Sequence, residues 1–253
     1  ESTNTTQSIV IDNVKPSFTY TAPAGAAGTV TGFNTAGNPY QVKFTATDAT
    51  AGFDAGHTWK LQRLIGTAAA GVCAGMGNDP AAGSVVTGTA QTLQTNNQTL
   101  SVPACYRWQL TATDANGNVA IMLTSADVIT DVTVPTAAFI TPEGPTISRN
   151  VTAFSVAWTD GDAGSGIATR SLQRQRVAAT SDACPGTFVN DGSAVTTASP
   201  SAQTLTSGYC YQWIQTVTDR AGLQTVVTSG KVYVDTTMPM GDYSTPNEGT
   251  NTV

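Results

Sequence analysis

The word D-x-x-x-P-x6-P stands three times in the chain, at Asp12/Pro16/Pro23, Asp131/Pro135/Pro142 and Asp235/Pro239/Pro246. No other feature constrains the fold as strongly, because repeated units must each build the same core from the same words. Between these marks further words recur. Leu61-Gln62-Arg63 matches Leu172-Gln173-Arg174, and a cysteine follows each Gln by 11 residues, at Cys73 and Cys184. Cys105-Tyr106-Arg107-Trp108 matches Cys210-Tyr211-Gln212-Trp213, and Thr111-Ala112-Thr113-Asp114 matches Thr216-Val217-Thr218-Asp219. Gly117 and Gly222 stand three residues after those aspartates.

The matched words run without gaps, and the length difference falls between them. Pro16 to Pro135 spans 119 residues and Pro135 to Pro239 spans 104. Most of the excess lies in Gly/Ala/Asn/Pro-rich stretches such as Ala24–Asn38 and Gly75–Gly83, which read as loops. The chain therefore divides into residues 13–134, module one, and 135–238, module two. Residues 1–12 read as the last strand of a preceding module, because Ile9-Val10-Ile11-Asp12 corresponds to Val128-Ile129-Thr130-Asp131 and Val232-Tyr233-Val234-Asp235. Residues 239–253 read as the first strand of a following one. As lone strands both ends would leave backbone groups unpaired. They are expected to continue into further modules, or to complete an adjacent subunit by strand donation.

An all-β fold follows from residue type. Thr is roughly one residue in six, and its branched Cβ suits a pleated surface. The charged and straight-chain residues of long amphipathic helices are scarce, at 11% charged overall. Tyr106, Trp108, Leu110 and Ala112 alternate with Cys105, Arg107, Gln109 and Thr111, the period of a half-buried strand. Strands are expected near Ser17–Tyr20, Gln41–Thr47, Thr58–Leu64, Thr92–Val102, Tyr106–Thr113 and Val119–Ile129. In module two they fall near Ala137–Ile140, Ala153–Thr159, Thr169–Val177, Gln203–Thr206, Tyr211–Thr218 and Thr225–Val234.

The run Y-x-W-x-x-T-x-T-D-x-x-G, a strand, and then D-x-T-x-P resembles the bacterial immunoglobulin-like and fibronectin-type-III-like repeats of large secreted and cell-surface proteins. Asp162-Ala163-Gly164-Ser165-Gly166-Ile167 is similar to a loop common in them. The resemblance covers Asp12 to Pro239 and implies two tandem immunoglobulin-like β-sandwiches. Its motifs are specific for fold and weak for function, since such modules serve as stalks, spacers, adhesins and enzyme appendages. The cysteines depart from the antibody pattern, in which a disulfide joins the B and F strands.

Four cysteines permit three pairings. The repeat selects Cys73–Cys105 and Cys184–Cys210, and in such a sandwich the third and sixth strands are antiparallel neighbours, which brings each pair near. Paired cysteines imply an extracytoplasmic setting, extracellular or at a cell surface. A metal–thiolate site is the alternative, but C-x2-C is absent and His57 is the single histidine.

Seven of the 14 aspartates fall at repeat-matched places: Asp12, Asp131 and Asp235; Asp48 and Asp160; Asp114 and Asp219. In an immunoglobulin-like sandwich the turns after the second and sixth strands lie at the end that receives the incoming linker. Asp131, Asp160, Asp162 and Asp219 are thus expected to converge at the module junction, where their oxygens would suit Ca²⁺. Asp12, Asp48 and Asp114 would form the equivalent group one module earlier. The alternative is that each aspartate caps its own turn. No other cofactor is implied.

Other chemistry is thinly represented. Glu occurs only at 1, 143 and 248, which rules out a glutamate pair of glycosidase type. No nucleophile elbow, P-loop or zinc-protease word is present, so the chain is not expected to be an enzyme. A net charge of −6 with scattered basic residues speaks against nucleic acid. The one basic cluster, Arg170, Arg174 and Arg176, reads as a solvated or snorkelling stripe. No apolar run reaches membrane-spanning length. Trp59, Trp108, Trp158 and Trp213 read as core rather than as sugar-stacking platforms. Asn4, Asn97 and Asn150 each begin N-x-T, a glycosylation acceptor in form and a chance match in so Thr-rich a chain.

The expected role is a structural or adhesive stalk or filament segment of an extracellular protein, its partners being neighbouring modules of the same chain or of adjacent subunits. The alternatives are an accessory module of a secreted enzyme that binds surface glycans or another surface, and a virion decoration protein.

Overall fold

The computed structural model describes residues 11–35, 39–48, 58–80, 86–88, 92–94, 98–114, 116–120, 123–181 and 183–241. Contacts divide the chain into two compact units. One comprises Glu1–Ala137, Asp160–Arg170 and Thr216–Thr225, the other Ala138–Thr159, Ser171–Gln215 and Val226–Val253.

Among the described residues the first repeat carries β1 (Ser17–Ala22), β2 (Val30–Asn34), β3 (Lys43–Thr47), β4 (Thr58–Ala69), β5 (Val72–Asn78), β6 (Val86–Gly88), β7 (Thr92–Gln94), β8 (Ala104–Thr113), β9 (Leu123–Thr124) and β10 (Asp127–Thr130). They form one sheet of order β1-β3-β7 and a larger one of order β2-β10-β8-β4-β5, with β6 on β4 and β9 on β8. The described residues of the second repeat carry β11 (Thr136–Thr141), β12 (Ile147–Arg149), β13 (Ala153–Gly161), β14 (Ile167–Ala178), β15 (Val189–Asn190), β16 (Ser201–Thr204), β17 (Tyr209–Asp219), β18 (Gln224–Thr228) and β19 (Val232–Val234). Their sheets have the orders β11-β13-β16 and β12-β19-β17-β14-β15, with β18 on β17. In each repeat the last strand pairs in parallel with an early one, β10 with β2 and β19 with β12, and antiparallel with the long aromatic strand.

The aromatic strand builds the core by alternation. Tyr106, Trp108 and Leu110 are fully buried, as are Tyr211 and Trp213. Around Trp108 gather Val42, Phe44, Trp59, Leu61 and Val128; around Trp213 gather Val156, Trp158, Leu172, Leu205 and Val232. All four tryptophans are core residues, 4% exposed or less.

Near the start of each aromatic strand a tyrosine hydroxyl closes on the backbone five residues upstream. Tyr106 Oη accepts the N–H of Ser101 at 2.6 Å, and Tyr211 Oη accepts that of Thr206 at 2.8 Å. This tyrosine corner is a hallmark of immunoglobulin-like sandwiches. Each repeat is one such sandwich.

The Leu-Gln-Arg word serves the same corner. Arg63 lies over the Tyr106 ring at 5.3 Å, pairs with Asp79 through Nε at 2.6 Å and donates to the Thr99 carbonyl at 3.1 Å. Arg174 repeats all three contacts, with Tyr211 at 5.8 Å, Asp191 at 2.8 Å and the Thr204 carbonyl at 3.0 Å. Arg170 pairs with Asp160, and Arg176 lies over the Tyr209 ring at 4.7 Å. The three arginines are therefore partly solvated, as expected, and also partnered: Arg170 with Asp160, and Arg174 and Arg176 with the shared Asp191.

The structure departs from the expected strands: β6, β12 and β15 fall outside them, and of Thr92–Val102 only Thr92–Gln94 is a strand among the described residues. Within Ala24–Asn38, expected as loop, Val30–Asn34 is β2. Its parallel partner β10 lies nearly a hundred residues downstream, beyond any local pattern. Gly75–Gly83 was likewise expected as loop, yet its start belongs to β5, which pairs antiparallel with β4. Glycine permits this closeness: a β-carbon at Gly66 would overlap the Ala74 carbonyl and the Met76 sulfur. The stretches 119–129 and 225–234 each break in two. There the hydroxyls of Ser125 and Ser229 accept the N–H of Trp108 and Trp213, at 3.0 and 2.9 Å.

Cys73 is bonded to Cys105 and Cys184 to Cys210, with Cα atoms 5.7 and 5.6 Å apart. The proposed end strands fall almost wholly outside the described residues; Ile11, Met238 and Met240 are exposed. Among the described residues no helix is long and apolar enough to cross a membrane.

Candidate metal centre

Two groups of three aspartates draw together, Asp12 with Asp48 and Asp114, and Asp131 with Asp162 and Asp219. In each the nearest carboxylate oxygens lie within 4.8 Å of one another. At that separation two ionised carboxylates repel by on the order of 3 kcal/mol in a partly buried setting, so each group needs something positive or hydrogen-bonding between its members.

The first group has amides. Asp114 Oδ1 accepts the backbone N–H groups of Asn116 and Asn118, each at 2.8 Å, and its Oδ2 accepts the side-chain amide of Asn118 at 2.7 Å. The same amide donates to the Asp12 carbonyl at 3.1 Å, and the Asn116 amide reaches Asp12 Oδ2 at 3.4 Å. Burial alone would raise the Asp114 carboxyl, but these donors together hold it below its ordinary value.

The second group sits entirely within the first compact unit. Asp131, fully buried at the end of β10, accepts the N–H of Ser165 on Oδ2 at 2.6 Å. On Oδ1 it accepts the N–H and hydroxyl of Thr133 at 2.9 and 2.5 Å. Burial opposes its ionisation, but these donors win and hold its carboxyl low. Asp162 Oδ2 caps its own loop through the N–H groups of Gly164 and Gly166, at 3.1 and 2.6 Å. Asp219 Oδ1 accepts the N–H of Leu223 at 2.8 Å. Asp162 Oδ1 and Asp219 Oδ2 are buried and have no hydrogen-bond partner. Asp219 is 1% exposed. Burial, with repulsion from Asp131 and Asp162 added, pushes its carboxyl above the ordinary range despite the Leu223 and Ala221 N–H groups.

The loop 162–166 is held by backbone contacts. Ala70 and Gly71, both at positive φ, form the tight turn between β4 and β5. Their N–H groups donate to the carbonyls of Ala163 and Gly164 at 3.0 and 2.9 Å. Arg220 N–H donates to the Gly166 carbonyl at 2.9 Å.

Of the four aspartates expected to converge, three do. Asp160 does not: it lies near the end of β13, where Arg170 of β14 grips both its oxygens at 2.8 and 2.6 Å. Asp162, two residues on, takes the place that repeat matching assigned to Asp160. A fixed-offset comparison could not see this, because the strand carrying Arg170 is met only when the hairpin closes. Of the N-x-T sites, Asn150 is exposed, while Asn4 and Asn97 lie outside the described residues, as does His57.

No protein-family model and no curated protein matches the chain. Solved structures similar to it include the fibronectin(III)-like modules of Clostridium thermocellum CbhA, at 13% identity and a TM-score of 0.36, covering 87% of this chain and 94% of that one. Three N-terminal domains of the bacteriophage RB49 highly immunogenic outer capsid protein align at 11% identity and 0.34, covering 89% and 71%. Domains A168–A170 of titin align at 12% and 0.39, covering 87% and 64%. The fold is read from strand order and the tyrosine corners.

Proposed function

We propose that the chain is a non-catalytic spacer segment of an extracellular or surface-displayed protein, one in which tandem immunoglobulin-like modules form a stalk or filament. The observation that carries this reading is the state of the segment between the repeats. Asp131 N–H donates to the Asn34 carbonyl at 2.9 Å, its carboxylate is held by Thr133 and Ser165, and the Pro135 carbonyl accepts the Thr225 hydroxyl. All of these groups belong to the first compact unit, so the segment that leads out of the first repeat is built into that unit rather than left to water. Pro135 adds a fixed φ and removes a free donor. The two disulfides support an oxidising location.

Single-molecule stretching tests the mechanical part. Two discrete unfolding events per chain are expected, each releasing more contour length after reduction, as the residues behind a disulfide are freed. A chain that extends smoothly at low force overturns the spacer reading. Antibody labelling of intact source cells or particles tests the location, and cytoplasmic chain with reduced thiols overturns it.

A further inference from the structure

We propose that Asp131, Asp162 and Asp219 form a Ca²⁺ site, and that in the matched group Asp12, Asp48 and Asp114 an asparagine amide takes up the Asp114 oxygen that the ion would need. The two groups differ in what neutralises them. Position 118 of the first repeat corresponds to 223 of the second, and 116 to 221, counted from Asp114 and Asp219. Asn118 supplies a side-chain donor to Asp114 Oδ2, and Asn116 supplies one to Asp12. Their counterparts are Leu223 and Ala221, which have no side-chain donor to give. The oxygen that Asn118 satisfies in the first repeat is Oδ2 of Asp219 in the second, where it is buried and unpartnered.

That orphaned oxygen is what separates a cation site from a chance gathering of acids. A buried carboxylate oxygen without a donor is costly, and here it faces two further carboxylates rather than a lysine or arginine. None of the three aspartates is in an ion pair with a basic side chain among the described residues. The donors already present are backbone N–H and threonine hydroxyl groups on the other oxygens, which fix the orientation of each carboxylate. They leave Asp162 Oδ1 and Asp219 Oδ2 free for metal. Hard, anionic oxygens in an irregular set match Ca²⁺, which accepts 6–8 oxygen ligands at flexible geometry; Mg²⁺ demands a near-ideal octahedron and gives up water reluctantly. Water would complete the shell. The ion would join three segments distant in sequence, the residue after β10, the loop after β13 and the last residue of β17.

Isothermal titration of the chelator-treated full chain with CaCl₂ tests this. One site per chain is expected, together with a rise in melting temperature on adding Ca²⁺, and MgCl₂ at the same concentrations should bind at least about tenfold more weakly. Asp219→Asn and Asp162→Asn are expected to weaken Ca²⁺ binding by roughly tenfold or more. Asp160→Asn, outside the group, should leave it within about twofold. The decisive variant is Leu223→Asn, which copies the first repeat: its amide should fill the position, keep the fold by near-ultraviolet circular dichroism, and abolish the heat of binding. No Ca²⁺ binding by the unaltered chain overturns the site. Two equal sites per chain, or undiminished binding by a folded Leu223→Asn chain, overturns the role given to asparagine. Equal binding of Mg²⁺ overturns the choice of calcium.

Discussion

Gly164 lies against the carboxylate of Asp131 so closely that a β-carbon would overlap its oxygens. The contact ties the end of β10 to the loop after β13 through small size alone. Two neighbours extend it: a β-carbon at Gly166 would stand 2.8 Å from the Ala70 carbonyl, and one at Gly71 would stand 2.7 Å from that of Ser165. Both are also at positive φ, where any other residue is strained.

The Gly164→Ala variant is therefore expected to lose about 2 kcal/mol of stability, in the range of overpacked sites, and to release the hydrogen bond from Ser165 to Asp131. Hydrogen exchange of the Ser165 amide should quicken along with the drop in urea midpoint. Gly77, where a β-carbon would meet nothing within 4 Å, is the control. Gly77→Ala should stay within about 0.5 kcal/mol of the parent. Equal effects at the two positions would show that the Asp131 contact carries no weight.

The tyrosine corners should be separately measurable. Tyr211→Phe keeps the ring that Arg174 overlies but leaves the Thr206 N–H without its acceptor. A loss of about 1–2 kcal/mol is expected from chemical denaturation. Tyr106→Phe should cost a similar amount, through Ser101. Tyr209→Phe, which touches neither corner, should cost less than either.

Removing the second disulfide, by Cys184→Ala with Cys210→Ala, opens a loop closed across 26 residues. Chain entropy alone sets the loss at about 3.5 kcal/mol. Denaturation of the double variant, beside the parent in reductant, checks it. A loss below about 1 kcal/mol would mean that the β-sheet holds Cys210 and its loop without covalent help.

Much of the fold was legible in the residues themselves. Repeat words located both sandwiches. Period-two alternation identified the buried face of β8 and β17, and the fixed offsets of the cysteines selected their partners. These signals are local, or are copies of one another, so reading them needs no knowledge of which strand meets which. The sequence also marked Asp131, Asp160, Asp162 and Asp219 as a convergent set, of which Asp131, Asp162 and Asp219 draw together.

Contacts between distant strands decided the rest. β2 and β12 exist because the last strand of each repeat offers them a parallel edge, a partner no short window contains. Asp160 left the expected set because Arg170, folded back on the next strand, holds both its oxygens. The aspartate groups, alike in the one-dimensional comparison, became unlike when side chains took up space: Asn118 reaches Asp114 Oδ2, and Leu223 cannot reach Asp219 Oδ2 with any donor. Residue type and spacing determined that carboxylates would gather there. Whether hydrogen bonds satisfied each oxygen depended on three-dimensional reach and burial, which only the folded chain sets.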